Sequence, residues 1–160
     1  MNYLNEKIIP YKGLESFRLG DNLECVRSEL KSNNVPFNQM IDSNKDCTPP
    51  IPWTNISINK SIMLTFAKDI LFRIYVENDY SGTLPNGVQI GMDLKELKLI
   101  DDSIQYDEDE EYYYSQHGYW VNEDINTNRV EGIVIFIPEI ENDDQFWNYE
   151  WTNKYEQKNA

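Results

Sequence analysis

The sequence predicts an α+β domain, and three observations carry that expectation. The chain has 160 residues, of which 40% are hydrophobic and 13% aromatic, which suits a single domain with a core of its own. Two segments are related: Phe17/Val88, Leu19/Ile90, Gly20/Gly91, Leu23/Leu94 and Val26/Leu97 match at a constant offset of 71. Each segment is followed by strand-like apolar sequence interrupted by a short polar turn. Together they predict two helix–β-hairpin repeats, at about 17–77 and 88–137, whose strands join in one antiparallel sheet with both helices on one face. A helix stripe and a sheet face must each bury an apolar surface, and this layering lets each cover the other.

The elements follow in order. From Phe17 a short alternating apolar stretch reaches Gly20, after which Leu23 and Val26 recur at helical spacing. That pattern reads as a strand-like entry turning at glycine into an amphipathic helix. Asp21 or Asn22 can accept hydrogen bonds from the free first-turn amides and complement the positive helix end. Residues 33–52 read as an irregular connector, because Pro36, Pro49, Pro50 and Pro52 favour extended backbone. Strands are expected at 56–66 and 70–76, flanking Ala67-Lys68-Asp69, which has the length and polarity of a hairpin turn. Ser81-Gly82 and Pro85-Asn86-Gly87 mark the link between the units. In the second unit Asp93 is the cap, and strands at 112–121 and 129–137 flank a polar stretch at 122–128. Ile74, Val76, Ile133 and Ile135 fall on corresponding faces of the closing strands. Cap candidates at 142–144, with Trp147, Trp151 and Tyr155 at every fourth position, predict a C-terminal helix at about 143–155.

Composition excludes several kinds of function. With 14 basic against 28 acidic residues, a net charge of -14 and a pI near 4.3, the surface repels nucleic acid and anionic membranes and attracts basic partners. No apolar run approaches the ~20 residues that span a bilayer. Residues 1–13 lack the apolar stretch of ~7–15 residues that marks an export signal, so the chain is expected to be soluble and cytoplasmic. Cys25 and Cys47 are not a CxxC pair, and one histidine leaves too few soft ligands for zinc. Both cysteines read as unpaired thiols, with Cys25 on a helix. The acidic run lacks the central glycine and alternating ligands of a calcium loop, so no metal is expected. The seven glycines are dispersed and make no phosphate-binding loop. A nucleophilic triad needs a base, and His117, the single histidine, reads as a surface or strand-edge residue. No catalytic residue and no cofactor is expected, and the protein reads as non-enzymatic.

Protein binding has positive support. Seven of the eleven residues from Asp101 to Glu111 are acidic, and Tyr112, Tyr113 and Tyr114 follow at once. Carboxylates steer a cationic partner, and desolvated rings then hold it. The expected partner-binding residues are Asp107, Glu108, Asp109, Glu110 and Glu111 for steering, with Tyr112, Tyr114 and Trp120 as anchors. Side chains alternate along a strand, so at least one of the three consecutive tyrosines must face outward.

Leu19-Gly20-Asp21 with Leu23 and Val26, and Ile90-Gly91-Met92 with Leu94 and Leu97, each precede strands ending in Ile74/Val76 or Ile133/Ile135. Over about 17–137 this resembles the tandem helix–hairpin domains of the beta-lactamase inhibitor protein kind. It departs from those exported inhibitors in lacking a leader-like stretch and their disulfides. In size, acidity and absence of catalytic motifs the chain also resembles cytoplasmic immunity proteins that accompany bacterial toxins, including those of contact-dependent inhibition. That resemblance implies a cognate toxin, often a basic nuclease, occluded by an acidic partner. The alternative is a regulatory or scaffold module that binds a basic protein unrelated to toxins.

Overall fold

The computed structural model describes residues 2–43 and 50–159 of the chain. Its helix α1 (Leu23–Ser32) is followed by strands β1 (Asn38–Asp42), β2 (Trp53–Ile58), β3 (Ile62–Ala67) and β4 (Ile70–Glu77). Helix α2 (Leu94–Ile100) is followed by β5 (Gln105–Asp107), β6 (Tyr112–Ser115), β7 (Tyr119–Asp124) and β8 (Arg129–Phe136). Two short helices, α3 (Asp143–Phe146) and α4 (Trp151–Asn159), close the chain. The eight strands form one antiparallel sheet in the order β1-β2-β3-β4-β8-β7-β6-β5. The fold is therefore α+β.

Both longer helices start where the sequence supplies an acceptor. Asn22 takes the Glu24 amide at 2.9 Å and Asp93 takes the Lys95 amide at 2.9 Å, satisfying one orphan donor each. Asp21 instead accepts from the Arg18 amide. The entries are also tied to the sheet in matching ways. Gly20 N donates to Leu71 O, Leu71 N to Asp21 O and Leu23 N to Asp69 O, while Gly91 N donates to Val130 O, Val130 N to Met92 O and Leu94 N to Asn128 O. The register slips once between β3 and β4 and once between β7 and β8, leaving Phe72 and Glu131 as the extra residues. Such bulges bend a strand and re-aim its side chains.

Strand alternation then divides the sheet into two unlike faces. One carries Ile56, Ile58, Leu64, Phe66, Ile74, Val76, Val121, Ile133 and Ile135, all buried in a core shared with Leu23, Val26 and Leu30 of α1 and Leu94 and Leu97 of α2. The opposite face carries Trp53, Met63, Thr65, Arg73, Tyr75, Tyr112, Trp120, Asn122 and Val134, and the C-terminal segment crosses one end of it.

Several expectations are corrected here. Each half contributes four strands rather than a hairpin. The stretch at 56–66 is two strands, because Asn59 and Lys60 adopt φ of 53° and 55° and make a tight turn that polar residues with positive φ favour. Residues 112–121 likewise divide at Gly118, whose φ is 88°. The connector at 33–52 contains β1, which pairs with β2 from Asn38 to Asp42; residues 44–49, with Cys47 and Pro49, lie outside the described residues. Cys25 is exposed on α1 and unpaired. The single C-terminal helix at 143–155 is broken: Tyr149 has φ 57° and the Asn148 side chain accepts from Glu150 N at 2.8 Å, a local bond that competes with helical pairing. As a result Trp151 and Tyr155 are buried while Trp147 stays 44% exposed.

Candidate functional site

The face opposite α1 and α2 holds a cleft of about 630 Å³ whose floor is sheet and whose margins are the β5–β6 turn and the C-terminal segment with α3. The bulge in β4 places Phe72 and Arg73 consecutively against Trp53 of β2. The Phe72 ring lies 5.0 Å from Trp53, 5.3 Å from Phe146 and 5.8 Å from Trp151. Trp147 stacks on Trp53 at 6.0 Å with an interplanar angle of 16°. The Trp53 indole N–H donates to the Tyr149 hydroxyl at 3.0 Å, which fixes the ring in place. The wall is thus held by packing among β2, β4, α3, α4 and the turn between α3 and α4 that carries Trp147 and Tyr149.

Arg73 sits on the sheet floor beside this wall, with its guanidinium 5.4 Å from the Trp53 ring centre and 5.8 Å from that of Phe72. Among the described residues no carboxylate pairs with it and no acceptor takes its hydrogens. Burial holds its pKa below the ordinary arginine value. The margins have the opposite sign, with Glu110 and Asp143 on the lining. Burial, followed by the charges of Asp107, Glu110 and Asp143, pushes the Tyr112 phenol up to about 12.

The expected binding residues divide on this geometry. Asp107, Glu108, Asp109, Glu110 and Glu111 make the β5–β6 turn, ordered by the Asp107 carboxylate accepting the Asp109 and Glu110 amides at 3.0 Å each. Of the five, only Glu110 lines the cleft. Tyr112 and Trp120 line it too and stack at 4.6 Å, with Trp120 4.4 Å from Phe136 in turn. Tyr114 shares their face but is exposed farther along β6, where its hydroxyl donates to Gln105 at 2.7 Å. Glu108, Asp109 and Glu111 point to solvent. Arg73, Trp53, Tyr75 and Trp147 are lining residues that sequence reasoning missed. Their trace in the sequence is Arg73, Tyr75 and Glu77, three polar-bearing side chains at alternate positions of an apolar strand.

A second polar cluster lies near the other turn of this half. Asp101, 2% exposed, accepts from Ser103 Oγ at 2.6 Å, Ser103 N at 3.0 Å, Ser115 Oγ at 2.5 Å and the Tyr119 hydroxyl. His117 Nε2 stands 3.8 Å from the same carboxylate. Burial alone would raise the Asp101 pKa, but hydrogen bonds from Ser103, Ser115 and Tyr119 outweigh it and hold it below the usual carboxylate value. Here the acid bonds the serine hydroxyls directly, whereas a nucleophilic triad places the histidine between them. The cluster's chemistry is that of a fastening: it ties the end of α2 to the β6–β7 turn. Among the described residues no group of three or more His, Cys, Asp or Glu side chains is arranged to hold a metal ion, and no helix is long and apolar enough to cross a membrane.

No family model matches the sequence, and no curated protein matches it either. Among solved structures, the uncharacterized protein YfeY from Escherichia coli superposes with a TM-score of 0.52 at 12% identity, covering 80% of this chain and 98% of that one. A cysteine-rich secretory protein from Staphylococcus aureus gives a TM-score of 0.46 at 13% identity over 88% of this chain. The match takes in 52% of that protein, about half its length. At such identity the likeness to YfeY is one of fold alone.

Proposed function

We propose that this chain is a non-enzymatic binding protein whose sheet face opposite α1 and α2 docks a basic protein, and that it serves in the cytoplasm as an immunity protein that neutralises a cognate bacterial toxin. The observation that carries the reading is the cleft itself: rings of Trp53, Tyr112, Trp120 and Trp147 surround it, with Glu110 and Asp143 at its margin. Rigid aromatic rings on a stable sheet offer large contact area at small entropic cost, the usual composition of binding hot spots. The acidic turn beside them supplies long-range attraction for a cationic surface. Neutralisation would be steric, the sheet face covering the toxin's active site or substrate groove.

The matching helix entries and bulges support a further element of the reading, that the chain is built from two copies of one unit, a helix followed by strands. Two such sheets joined edge to edge through β4 and β8 give a face broad enough to cover a partner's cleft.

The experiment is genetic. The reading frame directly upstream of this gene is expressed alone and together with this chain. Toxicity of the neighbour alone, relieved by the wild-type chain and not by a Trp120→Ala variant, is the expected result. A harmless neighbour, or a toxic one that this chain does not relieve, overturns the immunity role and leaves a regulatory or scaffold module binding some other basic protein.

A further inference from the structure

We propose that the floor of the cleft is a carboxylate subsite, in which Arg73 receives the side chain of one Asp or Glu presented by the docked protein and the Trp53–Trp147 stack walls its aliphatic stem. The source of the carboxylate rests on the docking reading above; the chemistry of the subsite does not.

Three observations converge on it. The half-buried Arg73 guanidinium lies against two packed rings and has no ion-pair or hydrogen-bond partner among the described residues. A cation partly withdrawn from water and left unpaired gains from an anion that meets it there. The two ring contacts at 5.4 and 5.8 Å are apolar and take none of the guanidinium N–H donors, which leaves the fork free for a planar acceptor such as a carboxylate. The pocket, at about 630 Å³, is larger than a carboxylate group and accommodates the stem and backbone that carry it.

The surroundings select the ligand's charge. Glu110 and Asp143 stand on the lining and the chain as a whole carries a net charge of -14, so each additional negative charge on a ligand is repelled. A singly charged carboxylate suits the site and a phosphate dianion does not. The same margin favours basic residues flanking the acidic one, so the epitope is one carboxylate set among lysines or arginines. An acidic protein would thereby read one acidic residue on a basic surface, a criterion that charge attraction alone cannot supply.

The test uses capped single amino acids and needs no protein partner. N-acetyl-glutamate amide, N-acetyl-glutamine amide and N-acetyl-phosphoserine amide are titrated into the 15N-labelled full chain while the Trp53 and Trp147 indole and Arg73 Nε–H resonances are followed. Saturable shifts with the glutamate probe, about tenfold or more weaker with glutamine, are expected for a charge-assisted pair. The phosphoserine probe should bind more weakly than glutamate. Arg73→Met should abolish the preference for glutamate over glutamine, and Arg73→Lys, which keeps the charge and loses the fork, should reduce it; the lysine variant carries the test should the methionine variant not fold. Equal binding of glutamate and glutamine, tighter binding of phosphoserine, or a preference unchanged in Arg73→Lys would overturn the subsite. Any of these would leave protein docking on this face standing, since that is tested by protection from the neighbouring gene product.

Discussion

A fully buried carboxylate with four donors converging on it is a strong stabilising element, and Asp101 is such a group. Its pKa is lower in the fold than the ordinary 3.8, so the stability it contributes is fully present above that pH and is lost as pH falls through the folded value. Asp101→Asn, which turns an acceptor toward donors into a partial donor, should lower the free energy of unfolding at neutral pH by about 2–4 kcal/mol. Urea titrations of both proteins should show this gap narrowing once the pH drops below 3.8. A gap that stays constant into acid would mean that the charge is not what matters. The sequence showed Asp101 only as the first residue of an acidic run, because burial of one carboxylate among seven depends on the turn that brings Ser115 and Tyr119 back to it. Tyr112 and Trp120, singled out for their aromatic character beside carboxylates, both line the cleft. Arg73 was not legible as a lining residue, since a lone arginine in a strand reads as a solvated side chain until its neighbour Trp53, twenty residues away in sequence, is placed beside it.

Helix starts were the most legible elements, because a cap and the first apolar turn are local signals: Asn22 and Asp93 sit where acceptors were expected. Strand number was less so. The tight turns at Asn59-Lys60 and Gly118 are short polar breaks inside longer apolar and aromatic stretches, and β1 is exposed along its whole length, so it carries no burial pattern to read. Close backbone approaches were not legible either. Gly132 of β8 lies beside Tyr75 of β4, and a Cβ there would come within 2.3 Å of the phenol ring. Gly132→Ala should therefore push Tyr75 out of its place in the cleft and cost about 1–3 kcal/mol. In a Tyr75→Ala background most of that cost should vanish, as a double-mutant cycle by chemical denaturation would reveal. Independent, additive effects of the two substitutions would show that the ring is not what the glycine accommodates.

At the scale of the whole molecule the two sheet faces have separate tasks. The apolar face meets α1, α2 and the N-terminal segment and supplies the core; the opposite face, covered at one end by the C-terminal segment, supports a cleft with a cationic floor and an anionic margin. Net charge and aromatic content are what propose a basic partner from the sequence, whereas the position of the cleft follows from strand order, which no local pattern encodes. The acidic turn stands beside the cleft without forming its floor, so charge and contact should separate in kinetics. The most direct measurement is the association and dissociation of the protein recovered from host cells with this chain, compared across four forms: wild type, a variant neutralised at Asp107 to Glu111, Trp120→Ala, and Leu99→Ala on the exposed side of α2. Neutralising the turn should slow association at low salt by about tenfold or more and flatten its salt dependence. Trp120→Ala should weaken binding by about thirtyfold, chiefly through faster dissociation, with Leu99→Ala within about twofold of wild type. Binding that survives Trp120→Ala and fails with Leu99→Ala would place the partner on the helical side and contradict the account.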